Sequence, residues 1–450
     1  MAINITYDGN RLVLPEFSCD CGFNHSTPDM DIYIGSGILQ QCADYIDKRN
    51  LGRNGLVVAD NNTWKIAGHN VDKILREKGY NTTLCILERE GVLEPDETAL
   101  GEIMLAIEKD TDFIVAVGSG VINDLSRYAA SCICKPLVSI GTAASMDGYT
   151  SVISSLLIKG LKVSKSDEYA KIIICDVDIM KKAPYDMMVS GFGDVLGKYI
   201  AKADWLLGKI INNETICPVC VDIITQAVEK CIDNIDGIRN TTDEGIQSLI
   251  EALILTGLTI LIVGQTRPVA SNEHNMCHFW DMMKLQKKEK SPSHGTSVGV
   301  ATVYAAKMFD LFLNLDVSKL NKALIRSKKQ TKTDWEKGIT ESYGLLAPKI
   351  LKDNPNEYIE WNEQERRINA VILRMNTIRK ELEFLPTSDE IVSILERIGS
   401  PIIASQLGVD NKMLKDSLMY AKDYRMRYTV FKTVNELGLL EEFTDNIMAE

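Results

Sequence analysis

The chain has 450 residues, 45% hydrophobic and 25% charged, which is enough for two or three domains of ordinary size, each with a buried core. A formal net charge of −12 sets up an acidic field that repels phosphate backbones and anionic lipid, and so argues against nucleic acid or a membrane surface as the main partner. Eleven cysteines in a chain this long read as reduced thiols, because disulfide frameworks belong to small secreted domains.

The chain opens with MAINITYDGNRLVLPEF, which has no basic stretch followed by an apolar one, so no secretory signal is read and a cytoplasmic location is expected. Up to about residue 180, β-rich runs follow one another: IYIGSG, GLVVAD, TTLCILE, DFIVAVGSG, KPLVSIGT and AKIIICDVD. Amphipathic segments such as NTWKIAGHNVDKILREKGY lie between the earlier ones, and strands alternating with helices predict parallel βαβ units. From Pro184 onward the pattern is helical almost to the end. The expected architecture is an α/β domain over residues 1–183 with a parallel sheet, followed by an all-α domain over residues 184–450.

The longest apolar run, residues 249–264, is short for a bilayer and carries Glu251, so it predicts a buried core helix and no membrane insertion. The charged stretch SKKQTKTDWEKG at 327–338 reads as a solvated face. Of the paired cysteines, CPVC at 217–220 supplies two thiolates where a zinc ribbon needs four, and no second such pair follows.

Four segments carry chemistry. Strand DFIVAVG runs through Gly118, Ser119 and Gly120 straight into a helix, a turn whose free N–H groups and helix dipole suit a pyrophosphate. An ordinary strand-to-helix turn has the same look, and the sixth position of GxGxxG is Asn123. Asp60 ends the strand GLVVAD, where its carboxylate can accept from a ribose diol or simply cap a helix. In a Rossmann domain such an acid follows the glycine turn by about 20 residues, whereas here it precedes the turn by two βα units. The third segment, SIGTAASMDGYTS, offers small and hydroxyl residues after a strand: Thr142, Ser145 and Ser151, with Asp147 as the charge. The fourth is SNEHNMCHFW. Only five histidines exist, yet His274 and His278 stand one helical turn apart and His294 follows in SPSHGTSVG. With Asp194 from SGFGDVLGKY, the pair His274 and His294 would make a carboxylate-plus-two-imidazole metal site, while core histidines held by hydrogen bonds are the alternative. Glu273 precedes the first histidine, so the zinc-protease HExxH order is absent.

Taken together, VGSGVINDLSRY, GTAASMDGYTS, SGFGDVLGKYIAKADW, RPVASNEHNMCHFWDM and SHGTSVGVAT closely resemble the bacterial glycerol-1-phosphate dehydrogenases. These are relatives of dehydroquinate synthase and of the iron-dependent alcohol dehydrogenases. The resemblance runs over residues 30–310; the helical remainder matches in character only. It implies a dehydroquinate synthase-like fold and metal-assisted reduction of dihydroxyacetone phosphate to sn-glycerol 1-phosphate. A glycerol dehydrogenase, another polyol dehydrogenase, or a non-catalytic nucleotide-binding protein are the rival readings.

By the same resemblance, Asp60 would hold the adenosine ribose, and Gly118, Ser119, Gly120, Val121, Ile122, Asn123 and Asp124 the dinucleotide phosphates. Thr142, Ala143, Ala144, Ser145 and Ser151 would contact the nicotinamide end, and Asp147 and His278 the substrate. Asp194, His274 and His294 would bind zinc or nickel, with Asp194 also beside the substrate, and His278 or a water it holds would supply the proton. A carboxylate at the ribose repels a 2′-phosphate, which favours NAD(H), with NADP(H) the alternative. Arg267 in GQTRPVAS is the candidate for the substrate phosphate, although an arginine before proline can equally brace the helix start. The partner implied is a small phosphorylated triose or glycerol, and the assembly a homodimer.

Overall fold

Runs rich in Val, Ile, Leu and Ala, as in LVVA, FIVAV, LVSI and III, suit strands buried on both faces of a parallel sheet. The computed structural model describes residues 5–14, 19–23, 25, 28–159 and 161–449. The strands are β1 (Thr6–Asp8), β2 (Arg11–Val13), β3 (Asp31–Gly35), β4 (Asn54–Asp60), β5 (Asn81–Leu87), β6 (Phe113–Gly118), β7 (Leu137–Gly141), β8 (Ile153–Ile158), β9 (Leu161–Ser166) and β10 (Ile172–Asp176). Eight form one sheet in the order β1-β2-β3-β10-β7-β6-β4-β5. The six from β3 to β5 run parallel, and β1 and β2 are antiparallel additions at one edge. All six parallel strands coincide with the β-rich runs of the sequence. The edge hairpin and the separate antiparallel pair β8–β9 do not.

Six helices bear on the site: α1 (Gly120–Cys132), α2 (Tyr185–Leu196), α3 (Lys198–Asn212), α4 (Asp243–Val263), α5 (Asn272–Gln286) and α6 (His294–Leu313). Two compact units result. The first comprises Met1–Cys19, Asn24–Val195 and Asp222–Gly264; the second comprises Asp20–Phe23, Leu196–Val221 and Gln265–Glu450. The sheet, α1 and α4 therefore belong to the first unit, and α3, α5 and α6 to the second.

Helices α4 and α6 are long and apolar enough to cross a membrane by length and composition, but 89% and 78% of their apolar windows are buried inside the fold, which makes them core helices. Glu251 within α4 is buried too, and accepts from Lys230 Nζ and from Gln247 Nε2 at 2.9 Å. In the second unit α5 is buried on almost every side, with Phe279 and Trp280 fully inside and the indole N–H donating to Ser417 Oγ at 3.0 Å. Each such buried aromatic or aliphatic side chain contributes about 1.5–3 kcal/mol, so α5 is a fixed support for the polar groups on it.

Candidate functional site

In the first unit the sheet order places the chemistry. After β4 the chain adds β5 on one side and then returns to build β6 on the other, so the winding reverses at β4. Crevices beyond the C-terminal ends of strands at such a reversal bind ligands. The parallel pairing Val58↔Ala116 brings Asp60, two residues on, level with Gly118. The acid and the glycine turn, far apart in sequence, are thus neighbours, which answers the order that does not suit a Rossmann domain. Asp60 does cap a short helix: one oxygen, Oδ1, accepts from Asn62 N at 2.8 Å and Thr63 N at 2.7 Å. The cap uses one carboxylate oxygen, and Oδ2 is left for a ribose hydroxyl.

Ser119 is the N-cap of α1 and makes no side-chain cap bond, so the first N–H groups of the helix remain for an anion. Its hydroxyl instead meets Ser145 Oγ at 2.7 Å, joining the glycine turn to the loop after β7. A Cβ on Gly118 would lie 2.5 Å from Ile122 Cβ, so the turn is this tight only with glycine there. The side chains of Asn123 and Asp124 are engaged by the protein. Asn123 Oδ1 accepts from Ser139 Oγ at 2.8 Å; Asp124 accepts from Arg127 Nη1 at 2.7 Å and Ser155 N at 3.1 Å. Burial holds the Asp124 carboxyl above its ordinary range, with Arg127 opposing it. At the start of α1, backbone N–H groups rather than these side chains are the groups suited to phosphate.

The loop from Thr142 to Ser151 is held from several sides within this unit. Thr142 N donates to Gly118 O at 3.1 Å, Tyr149 OH to Ala143 O at 2.7 Å and Ser190 Oγ to Ser145 O at 3.1 Å. Ala144 is buried beside α2, and Ser151 Oγ both donates to and accepts from the backbone of Ile153. Two glycines allow helices to press on the loop: a Cβ at Gly191 would sit 2.0 Å from Ala144 O, and one at Gly257 would sit 2.4 Å from Asp147 O. Asp147 is half-buried, and its N–H donates to Asp194 Oδ2 at 3.1 Å. Asp194, wholly buried on α2, therefore ties that helix to the loop that carries Asp147.

In the second unit three of the five histidines converge. The ring of His274 lies 5.3 Å from that of His294 and 6.4 Å from that of His278, and His278 and His294 are 5.6 Å apart. His274 Nδ1 is 2.8 Å from Glu273 Oε1, which also accepts from Ser271 N at 2.8 Å. A fully buried carboxylate on Nδ1 orients the ring, the usual support for a ligating imidazole. Cys277 Sγ approaches His294 Nδ1 at 3.4 Å. Imidazole nitrogens together with a carboxylate suit a borderline divalent ion such as zinc or nickel, so the donor chemistry fits. Cys277, His278, Asp281 and His294 also offer atoms within 4.8 Å of one another, a second grouping on the same helices.

Arg267, the expected phosphate ligand, is only 2% exposed and is bonded on all sides. Nε and Nη2 clamp Glu214 at 2.6 and 2.9 Å, and Nη2 also donates to the carbonyls of Asp204 and Tyr428, both at 2.9 Å. These bonds describe the bracing role that its place before proline also allowed. Arg425, Arg427 and Tyr424, whose ring is 5.6 Å from that of His278, are not singled out by the sequence. The acid beside His274 was visible, but nothing in one sequence signals that a segment 150 residues on folds back to the histidines.

The profile of the iron-containing alcohol dehydrogenase family matches residues 33–184. A glycerol-1-phosphate dehydrogenase (NAD(P)+) of Halalkalibacterium halodurans is 29% identical over 421 residues, 93% of this chain and 95% of its own. An archaeal relative, the glycerol-1-phosphate dehydrogenase of Methanosarcina mazei, is 29% identical over 61% of this chain and 74% of its own. Among solved structures, a sulfoacetaldehyde reductase from Bifidobacterium kashiwanohense in complex with NAD+ has a TM-score of 0.61 at 15% identity, over 95% of this chain and 99% of that one. A probable glycerol dehydrogenase from Sinorhizobium meliloti has a TM-score of 0.60 at 15% identity, over 94% and 100%. At that identity the structural likeness concerns the fold alone.

Proposed function

We propose that the protein reduces dihydroxyacetone phosphate to sn-glycerol 1-phosphate, reversibly, with NAD(H) and one divalent metal, zinc or nickel. The observation that carries the reading is the pairing of Asp60 with the Gly118–Gly120 turn at the strand-order reversal, in a chain that also gathers three imidazoles. The curated relatives named as glycerol-1-phosphate dehydrogenases, similar over nearly their whole length, support the substrate. Residues 1–183 would carry the dinucleotide and residues 184–450 most of the metal and substrate contacts. A homodimer in the cytoplasm follows from the family resemblance.

Asp60 holds the adenosine ribose through its uncapped oxygen, and its charge disfavours a 2′-phosphate, with NADP(H) the second choice. The N–H groups of Gly120, Val121 and Ile122 receive the pyrophosphate, that of Asn123 being bonded to Ser119 O. Thr142, Ala143, Ala144, Ser145 and Ser151 line the nicotinamide, where small side chains let the ring approach. Asp194, His274 and His294 would hold the metal. When bound, a divalent ion supplies Lewis-acid stabilisation of charge developing on the ketone oxygen and a nicotinamide supplies the hydride. Asp147 accepts from the substrate hydroxyl, with its backbone fixed by Asp194. His278, half-buried one turn from His274, delivers the proton directly or through a water.

The test is NADH oxidation with dihydroxyacetone phosphate by metal-stripped protein, repeated after Zn²⁺ or Ni²⁺ is added separately, with chiral analysis of the product. Turnover restored by either ion and yielding the sn-1 isomer is expected. Turnover of free dihydroxyacetone alone would replace the reading with that of a polyol dehydrogenase.

A further inference from the structure

Arg267 is not the only guanidinium on the loop that leads into α5. Arg427 Nη1 donates to Ala270 O at 2.5 Å and its Nη2 to Thr266 Oγ1; Arg425 Nη1 donates to Thr266 Oγ1 at 3.3 Å. Both side chains are half-buried, and neither makes an ion pair among the described residues. Of the acids close by, Glu214 is clamped by Arg267, Asp204 accepts from Ser271 Oγ and Val430 N, and Glu273 Oε1 accepts from Ser271 N and lies against His274 Nδ1. Burial, then the like charges of Arg425 and Arg267, push the Arg427 guanidinium well below its ordinary range, with Glu273 and Glu214 opposing. Arg425 and Arg427 thus add two guanidiniums without an ion pair to a half-buried place whose acids already hold other partners, an arrangement that suits an anion.

Position and chemistry say which anion. The Arg425 guanidinium lies 5.2 Å from the Tyr424 ring, which is 5.6 Å from the His278 ring. The Thr266–Ala270 loop that both arginines grip runs directly into the helix bearing His274 and His278. Lys422 and Lys432, the other cations on this segment, are already paired, with Asp423 and Glu357. A guanidinium has five N–H donors in a planar fork that suits phosphate oxygens, and Arg425 commits one of its N–H groups to Thr266.

We infer that Arg425 and Arg427 bind the phosphate of the substrate and set the preference for a phosphorylated triose over a free one. The inference rests on the reading of the site as a triose phosphate reductase. Arg267 then acts as a positioning residue that holds the loop both arginines use.

The experiment compares wild-type protein with Arg425→Gln and, as a conservative change at the deeper position, Arg427→Lys. Steady-state constants are measured for dihydroxyacetone phosphate, free dihydroxyacetone and NADH, and the shift of the thermal midpoint by inorganic phosphate is measured without substrate. Either substitution is expected to raise KM for the phosphorylated triose at least tenfold, to narrow its kcat/KM advantage over the free triose by a similar factor, and to shrink the phosphate-induced stabilisation seen in wild type. Equal changes in KM for both trioses, or phosphate stabilisation retained in both variants, overturn the inference while leaving the proposed reaction standing. Should wild type turn over neither triose, the proposed reaction falls, and the phosphate arm still decides the arginines: no stabilisation of wild type overturns them as well.

Discussion

Gly257 on α4 ties stability to the placement of the Asp147 loop, and Gly257→Ala should damage both. The added Cβ would lie 2.4 Å from Asp147 O and 2.2 Å from Thr150 Oγ1. A threonine hydroxyl can rotate away; a backbone carbonyl cannot. Ordinary contact begins at 3.4 Å, so helix and loop must separate by about 1 Å. Overpacking of this kind costs about 1–3 kcal/mol, and in a unit of this size each kcal/mol lowers the melting temperature by about 2–4 °C. A displacement near 1 Å of a group that orients the substrate costs about 10²-fold in rate. Differential scanning fluorimetry and kcat/KM with dihydroxyacetone phosphate measure the two effects. Gly101→Ala is the control: it is helical with nothing within 4 Å of its Cβ, so it should be neutral or stabilise by up to about 1 kcal/mol. A Gly257→Ala protein that melts and turns over like wild type would refute the packing argument.

Glu273→Ala removes both the charge and the acceptor from His274 Nδ1 and should weaken metal binding by about 10–100-fold, read by competition with a chromogenic chelator. Glu273→Gln keeps an oxygen acceptor and should lose less; equal losses would contradict an orienting role. Asp60→Asn should preserve the helix cap, whereas Asp60→Ala should destabilise by about 0.5–2 kcal/mol, and both should raise KM for NADH while narrowing its advantage over NADPH. Burial pushes the Asp204 carboxyl up to about 7, against hydrogen bonding from Ser271 and the charge of Arg267. The folded chain therefore keeps a proton that the unfolded chain loses above about pH 4. This contribution to stability should fade as pH rises from about 4 to 7, and Asp204→Asn should flatten the dependence of the urea midpoint over that window.

How much of this was legible in one sequence depends on the range of the interactions. The six parallel strands, the core helix around Glu251 and the helical second half follow from local periodicity and composition, because an apolar run or a 3.6-residue repeat dictates burial wherever the chain goes. The histidines one turn apart on α5 were legible for the same reason. Three things were decided only by tertiary structure. Asp60 and the glycine turn become neighbours because the winding reverses at β4, and strand order is a property of the whole sheet. Helix α4, which follows the strands in the chain by some 70 residues, packs with the first unit because Gly257 at its surface admits the Asp147 loop. Arg425 and Arg427 reach the loop before α5 from the far end of the chain, and Arg267 turns inward to Glu214, because a guanidinium goes where acceptors are assembled around it. Sequence specifies which groups exist and which local shapes they favour; which of them share a low-dielectric space is settled only when distant segments close against each other.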